Sequence, residues 1–177
     1  LADLLAAYDL SQLERGDSWG LEYPGNWKVS VEGAVEDYHL PWGHPQIIQG
    51  ARKNNPRLDY ASQCFMCNSS RREYARESDA GTVMGFEAGL PMIPFAGEES
   101  ERRTHFIGIF PNGALQTRPN HVLQGMFAPD GAENTKLAFQ QYYMPGVATD
   151  PAYVAARAKL VEEWMLVFEQ DIPFVHN

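Results

Sequence analysis

Apolar residues recur at helical spacing in some stretches of this chain and alternate with polar ones in others. Over residues 2–14, Leu4, Leu5, Tyr8 and Leu13 fall near helical spacing, which predicts a helix stopped by Gly16. Tyr23-Pro24-Gly25-Asn26 forms a turn, and Trp27-Lys28-Val29-Ser30-Val31 alternates apolar and polar as a strand does. A short helix is expected from Glu32 to Tyr38. Residues 45–80 are polar and weakly patterned, with Asn54-Asn55-Pro56 marking a loop, so this stretch reads as a surface excursion or a lid.

The second half turns β-rich. Thr104–Phe110 reads as a strand, Pro111-Asn112-Gly113 as its hairpin turn and Ala114–Arg118 as its partner. His121–Phe127 and Lys136–Tyr143 form two more strands across the turn-rich Pro129-Asp130-Gly131. Hairpin connections imply an antiparallel sheet. A helix then starts at Pro151 with Asp150 as its N-cap, and Tyr153, Ala156, Leu160, Val161, Trp164 and Phe168 form its apolar stripe. The expected fold is α+β, a curved antiparallel sheet packed against a long C-terminal helix.

Size and charge narrow the function. A chain of 177 residues that is 44% hydrophobic suits a single domain spanning 1–177, with no repeats and no internal boundary. Fourteen basic against 23 acidic residues, net charge −9, argue against nucleic-acid binding, which relies on Lys and Arg to neutralise phosphates. No apolar run approaches the roughly 18 residues that span a bilayer, so no membrane segment is expected. Cys64 and Cys67 form a lone Cys-x-x-Cys that cannot close a zinc site, and they read as ordinary thiols of a reducing cytoplasm. The chain begins with Leu1 and lacks an initiator Met, which reads as a fragment of a longer protein.

The candidate chemistry lies in Glu36-Asp37-Tyr38-His39-Leu40-Pro41-Trp42-Gly43-His44. Two neutral imidazoles plus one carboxylate, with coordination positions left open, are the ligand set of a non-haem Fe(II) oxygenase. In an ideal helix His39 and His44 stand about 140° apart and cannot share a face. Pro41 and Gly43 distort the helix between them, so the second histidine can fold back toward the first. The third ligand is expected from Asp171, three residues after Phe168 and seven after Trp164, on the buried phase of the last helix. A carboxylate there is costly unless something neutralises it. The competing reading is that Ile172-Pro173 frays the helix and leaves Asp171 in solvent. His39 could equally be a satisfied core histidine, and His44 a loop residue.

Asn26-Trp27-Lys28, Glu32 and Glu36-x-x-His39-x4-His44-Pro45 resemble the catalytic domain of Rieske-type non-haem iron oxygenases, the α subunits of ring-hydroxylating enzymes. The resemblance continues through Phe110-Pro111-Asn112, Ala128-Pro129-Asp130-Gly131 and Phe168-Glu169-Gln170-Asp171, in matching order along nearly the whole chain. It implies that His39, His44 and Asp171 bind Fe(II) and that Glu36 links an iron-bound histidine to the [2Fe-2S] Rieske cluster of a neighbouring subunit. It also implies a START-like helix-grip fold and a homotrimer served by a reductase or ferredoxin. Gly33 departs from the family, which often has Asn there. The cluster needs Cys-x-His and Cys-x-x-His, and neither occurs, so the cluster is expected on an absent domain or another polypeptide.

The implied activity is O2-dependent hydroxylation, cis-dihydroxylation or demethylation of an aromatic or other small organic substrate. Trp42 and Phe110 are candidates to line its pocket, and Arg102 or Arg103 to anchor an anionic substrate in place of a solvated charge pair. The alternative is a metal-free START-like module that encloses an apolar ligand without chemistry. A zinc hydrolase is weaker, because no general base is placed for it.

Overall fold

The computed structural model describes residues 1–36, 38–44, 57–61, 65–71, 89–94 and 103–176. Seven strands form one antiparallel sheet in the order β1-β7-β6-β5-β4-β3-β2. The strands are β1 (Glu14–Tyr23), β2 (Arg57–Ala61), β3 (Phe65–Arg71), β4 (Arg103–Ile109), β5 (Gly113–Thr117), β6 (Val122–Pro129) and β7 (Thr135–Tyr143). Short helices α1 (Ala2–Leu5), α2 (Trp27–Gly33) and α3 (Leu40–Gly43) precede β2, and a long helix α4 (Val154–Val175) closes the chain. The α+β layer expected from the alternation is present: α4 packs on β1, and α2 packs on β6, β7 and α4.

The four strands read from the second half are found with boundaries moved by one or two residues. Their alternation decides which face is buried. On β7, Leu137, Phe139 and Tyr143 point inward while Lys136 and Ala138 face solvent. Trp19 of β1 and Gly125 of β6 stand opposite Phe139 on either side. A Cβ on Gly125 would lie 2.7 Å from the Phe139 ring, so that close approach needs glycine. Trp19 stacks on Phe139 at 4.2 Å, and Phe168 of α4 covers Phe139 at 4.3 Å. Leu160, Trp164, Val167 and Phe168 supply the helix side of this core. The opposite face of the sheet is also covered, where Tyr8 and Ile93 pack on Ile107, Leu115 and Val122.

Four expectations from the first half are overturned. The helix over residues 2–14 is not continuous: α1 ends at Leu5, two tight turns follow, and β1 begins at Glu14 and runs through Gly16. Asp9, between the turns, takes φ +32°, a left-handed conformation that a helix cannot pass through. The strand expected over Trp27–Val31 is helix α2. Its N-cap Asn26 accepts from the Lys28 amide at 3.0 Å, and that capping bond outweighs a five-residue alternation. The short helix expected from Glu32 is accordingly only the tail of α2. In the stretch expected to be a surface excursion, β2 and β3 extend the sheet past β4. The Asn54-Asn55-Pro56 loop, Cys64 and Arg102 lie outside the described residues.

Asp150 caps the last helix as expected, accepting from the Ala152 amide at 2.8 Å. Helix α4 then continues through Pro173 to Val175.

Candidate metal centre

Helical phase carried to the end of α4 places Asp171 below Phe168 and Trp164, with its side chain only 17% exposed. The fraying that Pro173 suggested does not occur. Tyr23, buried at the end of β1, donates its hydroxyl to the Phe168 carbonyl one turn before Asp171. Burial, with the charges of Asp171 and Glu169, pushes the Tyr23 phenol far above its ordinary range, so it stays a neutral donor.

The two histidines reach Asp171 through helix α3. His39 is its N-cap, Pro41 sits within the first turn where a missing N–H costs nothing, and His44 leaves the helix at φ −130°, ψ +62°. The Gly43 amide donates to the His39 carbonyl at 2.7 Å, and the His44 amide to the Leu40 carbonyl at 2.9 Å. The sequence thus folds as one complete turn between the histidines, where a helix that distorts or ends was expected. A Cβ on Gly43 would lie 2.9 Å from the Phe174 ring, so glycine lets this turn press against the end of α4. The imidazole rings meet edge to face, 5.1 Å apart.

His44 Nε2 lies 2.7 Å and His39 Nε2 3.5 Å from Asp171 Oδ1. Ligand atoms from all three residues lie within 4.8 Å of one another. Hydrogen bonds on the far side of each ring set the tautomers. His39 Nδ1 donates to the Glu36 carboxylate, and His44 Nδ1 donates to Gln170 Oε1 at 2.9 Å. Both Nε2 atoms therefore face the shared point, in the arrangement by which outer partners orient metal-bound histidines. Asp171 Oδ1 is buried with no aligned hydrogen-bond donor. Two imidazole nitrogens and a carboxylate oxygen with unfilled lone pairs fit a divalent first-row ion such as Fe(II).

Burial works to lower the His44 pKa, but the Asp171 carboxylate and the bond to Gln170 outweigh it and leave that pKa raised. A raised folded-state value stabilises the metal-free chain fully below the ordinary histidine pKa, and this contribution is lost as pH rises through the folded-state value. A metal takes the place of the Nε2 proton. Iron loading is therefore expected to weaken as pH falls below the neutral range and to release a proton, measured by metal titration in two buffers of different ionisation enthalpy. A pH-independent affinity would contradict the assignment of His44.

A cavity of about 230 Å³ opens against this cluster between α2, α4 and the sheet. His39, Glu36 and Asp171 reach it from one side, and Tyr23, Phe127 and Phe168 form part of its apolar wall. Gly33 also lines it, and a Cβ there would meet nothing within 4 Å. Trp42 and Phe110 do not line this cavity; they lie on the surface, 81% and 79% exposed. Both sit at turns (Trp42 in α3, Phe110 between β4 and β5), where the ring is carried outward. Gln170 and Tyr23 were not singled out from the sequence. Gln170 carried one weak signal, its place next to the acid at the helix end.

A model of the ring hydroxylating alpha subunit (catalytic domain) matches residues 10–177. The chain belongs to this family. No curated protein sequence matches it. Among solved structures, this ring-hydroxylating catalytic domain resembles the quaternary ammonium Rieske monooxygenase CntA (TM-score 0.71, 18% identity), covering 98% of this chain and 42% of that one. It resembles naphthalene 1,2-dioxygenase (TM-score 0.65, 16% identity) over 98% of this chain and 46% of the other. Dicamba monooxygenase follows with TM-score 0.59 and 10% identity, over 93% and 48%. The chain thus spans less than half the length of these proteins, and monooxygenases and a dioxygenase share its fold. Among the described residues, no helix is long and apolar enough to cross a membrane.

Proposed function

We propose that this chain is the iron-bearing catalytic domain of an O2-dependent oxygenase that hydroxylates, cis-dihydroxylates or demethylates a small organic substrate. The convergence of His39 Nε2, His44 Nε2 and Asp171 Oδ1, with both tautomers set from behind, is the observation that carries this reading. Fe(II) held there supplies dioxygen activation at open coordination positions. The chain's own residues do the rest. Glu36 and Gln170 hold the ring protons of His39 and His44, so the lone pairs stay aimed at the metal. The aromatic wall of Phe127 and Phe168 excludes water and positions an apolar portion of the substrate.

Glu36 is one-third exposed and also accepts from the Tyr38 amide, so it joins the metal cluster to the surface. Tyr38 and Trp42 beside it are 86% and 81% exposed. We assign this face to the electron donor, a Rieske [2Fe-2S] domain from a neighbouring subunit of a homotrimer, itself reduced by a reductase or ferredoxin. CntA is described with inter-subunit electron transfer, which supports that reading. A START-like helix-grip relationship belongs to the same proposal.

Anaerobic loading with Fe(II) followed by metal analysis tests the proposal. About one equivalent of iron supports it. No iron, together with retained folding, would favour the metal-free binding module. Gln170→Leu removes the acceptor for His44 Nδ1 and is expected to weaken Fe(II) binding roughly 10–100-fold, measured against a chelator, with Glu36→Gln expected in the same range.

A further inference from the structure

Two demands call for glycine: a backbone conformation that an L side chain resists, or a neighbour too close for a Cβ. Every described glycine but one meets such a demand. Three take positive φ, and seven have a neighbouring atom within 3.4 Å of an added Cβ.

Gly33 is the exception. It closes helix α2 with its φ outside the positive range, and among the described residues an added Cβ would meet no atom within 4 Å. A glycine in a helix costs stability relative to alanine, because its backbone loses more freedom on folding. The fold therefore gains nothing from the missing side chain.

The empty space belongs to the cavity beside the metal-binding cluster. Val29, Ser30 and Gly33 share one side of α2 by helical spacing, and all three line that cavity. Glu36, three residues further on, lines it too and holds the ring proton of His39. A side chain at position 33 would lean toward the helix N-terminus, over the turn that carries Val29 and Ser30. It would enter the space that α2 shares with the Phe127 and Phe168 rings.

The size and chemistry of this space define what fits. An apolar cavity of about 150 Å³ holds benzene, and this one measures about 230 Å³. Its described lining is largely apolar, and its charged groups, Glu32, Glu36 and Asp171, are all acidic. An anion is therefore disfavoured, and an uncharged molecule suits the walls.

We propose that Gly33 is a specificity-determining position, whose missing side chain reserves room for an uncharged organic molecule larger than a single benzene ring. Calling that molecule the substrate rests on the oxygenase reading; the filling of the cavity does not.

Equilibrium dialysis of the metal-free chain against benzene and naphthalene, two uncharged probes of different size, tests this. Wild type is expected to bind naphthalene. Gly33→Ala is expected to bind it a few-fold more weakly, and Gly33→Leu at least about 10-fold more weakly. Benzene affinity in Gly33→Ala is expected to fall less, so the preference for the larger probe drops. The Tm of Gly33→Ala is expected to equal or exceed that of wild type. Three results would each overturn the proposal: no naphthalene binding by wild type, equal naphthalene affinity in all three chains, or a lower Tm in Gly33→Ala, which would show that the backbone needs glycine. Iron loading of the same samples is read separately. Iron absent from all three chains, with the size preference intact, would sink the oxygenase reading and leave this one standing.

Discussion

Asp171→Ala is expected to lower Fe(II) affinity by more than about 100-fold, since losing even an outer partner of a metal-bound histidine costs 10–100-fold. Asp171 Oδ1 is the atom that both Nε2 nitrogens approach, at 2.7 and 3.5 Å. Without it two histidines remain, and two imidazoles do not make a facial triad. The fold should survive, because Asp171 lies at the last turns of α4 and what its removal takes away is the contact with His44, not apolar packing in the core. The measurement is bound iron per chain after anaerobic loading, alongside a thermal melt. Iron retained at the wild-type level in Asp171→Ala would remove the carboxylate from the ligand set.

Trp164→Ala should be the most destabilising of the changes considered. Trp164 is 1% exposed, stacks toward Phe168, lies under Arg118 and donates to His121. Truncating a buried Trp costs about 3–5 kcal/mol, against a total stability of about 5–15 kcal/mol. For a chain of this size that lowers Tm by roughly 6–20 °C. The loss also leaves His121 Nε2 without its donor inside the core. Trp42→Ala is the control. Its ring is 81% exposed, so the expected stability change is within about 0.5 kcal/mol. Equal melting temperatures for the two variants would show that the core beside α4 is not what holds the helix to the sheet.

Local pattern and tertiary structure divided the labour unevenly. The strands from Thr104 to Tyr143 and the α4 stripe of Leu160, Trp164 and Phe168 were legible in the sequence. Strand-forming residues bounded by turn signals marked the strands, and a single apolar stripe marked the helix; β6 and β7 show the alternation of buried and exposed positions most plainly. The N-terminal third was not. Residues 2–14 show helical spacing, yet Asp9 turns left-handed and the chain crosses to pair with β7, a partner more than a hundred positions away. Trp27–Val31 alternates like a strand, yet the Asn26 cap makes it a helix.

The candidate site shows the same division. Types and spacing named His39, His44 and Asp171 as candidate ligands and left the core-histidine and frayed-end readings open; the resemblance along the whole chain joined the three into one expected set. Tertiary structure decided that α4 continues past Pro173, that one turn of α3 brings the two imidazoles edge to face, and that Gln170 meets His44 across 126 positions of chain. It also carried Trp42 and Phe110 outward to solvent and brought Tyr23 to the end of α4. The reason is physical. Periodicity reports which side of an element is apolar, a property of neighbouring residues. Convergence of polar atoms depends on how separate elements dock, and no local pattern encodes that.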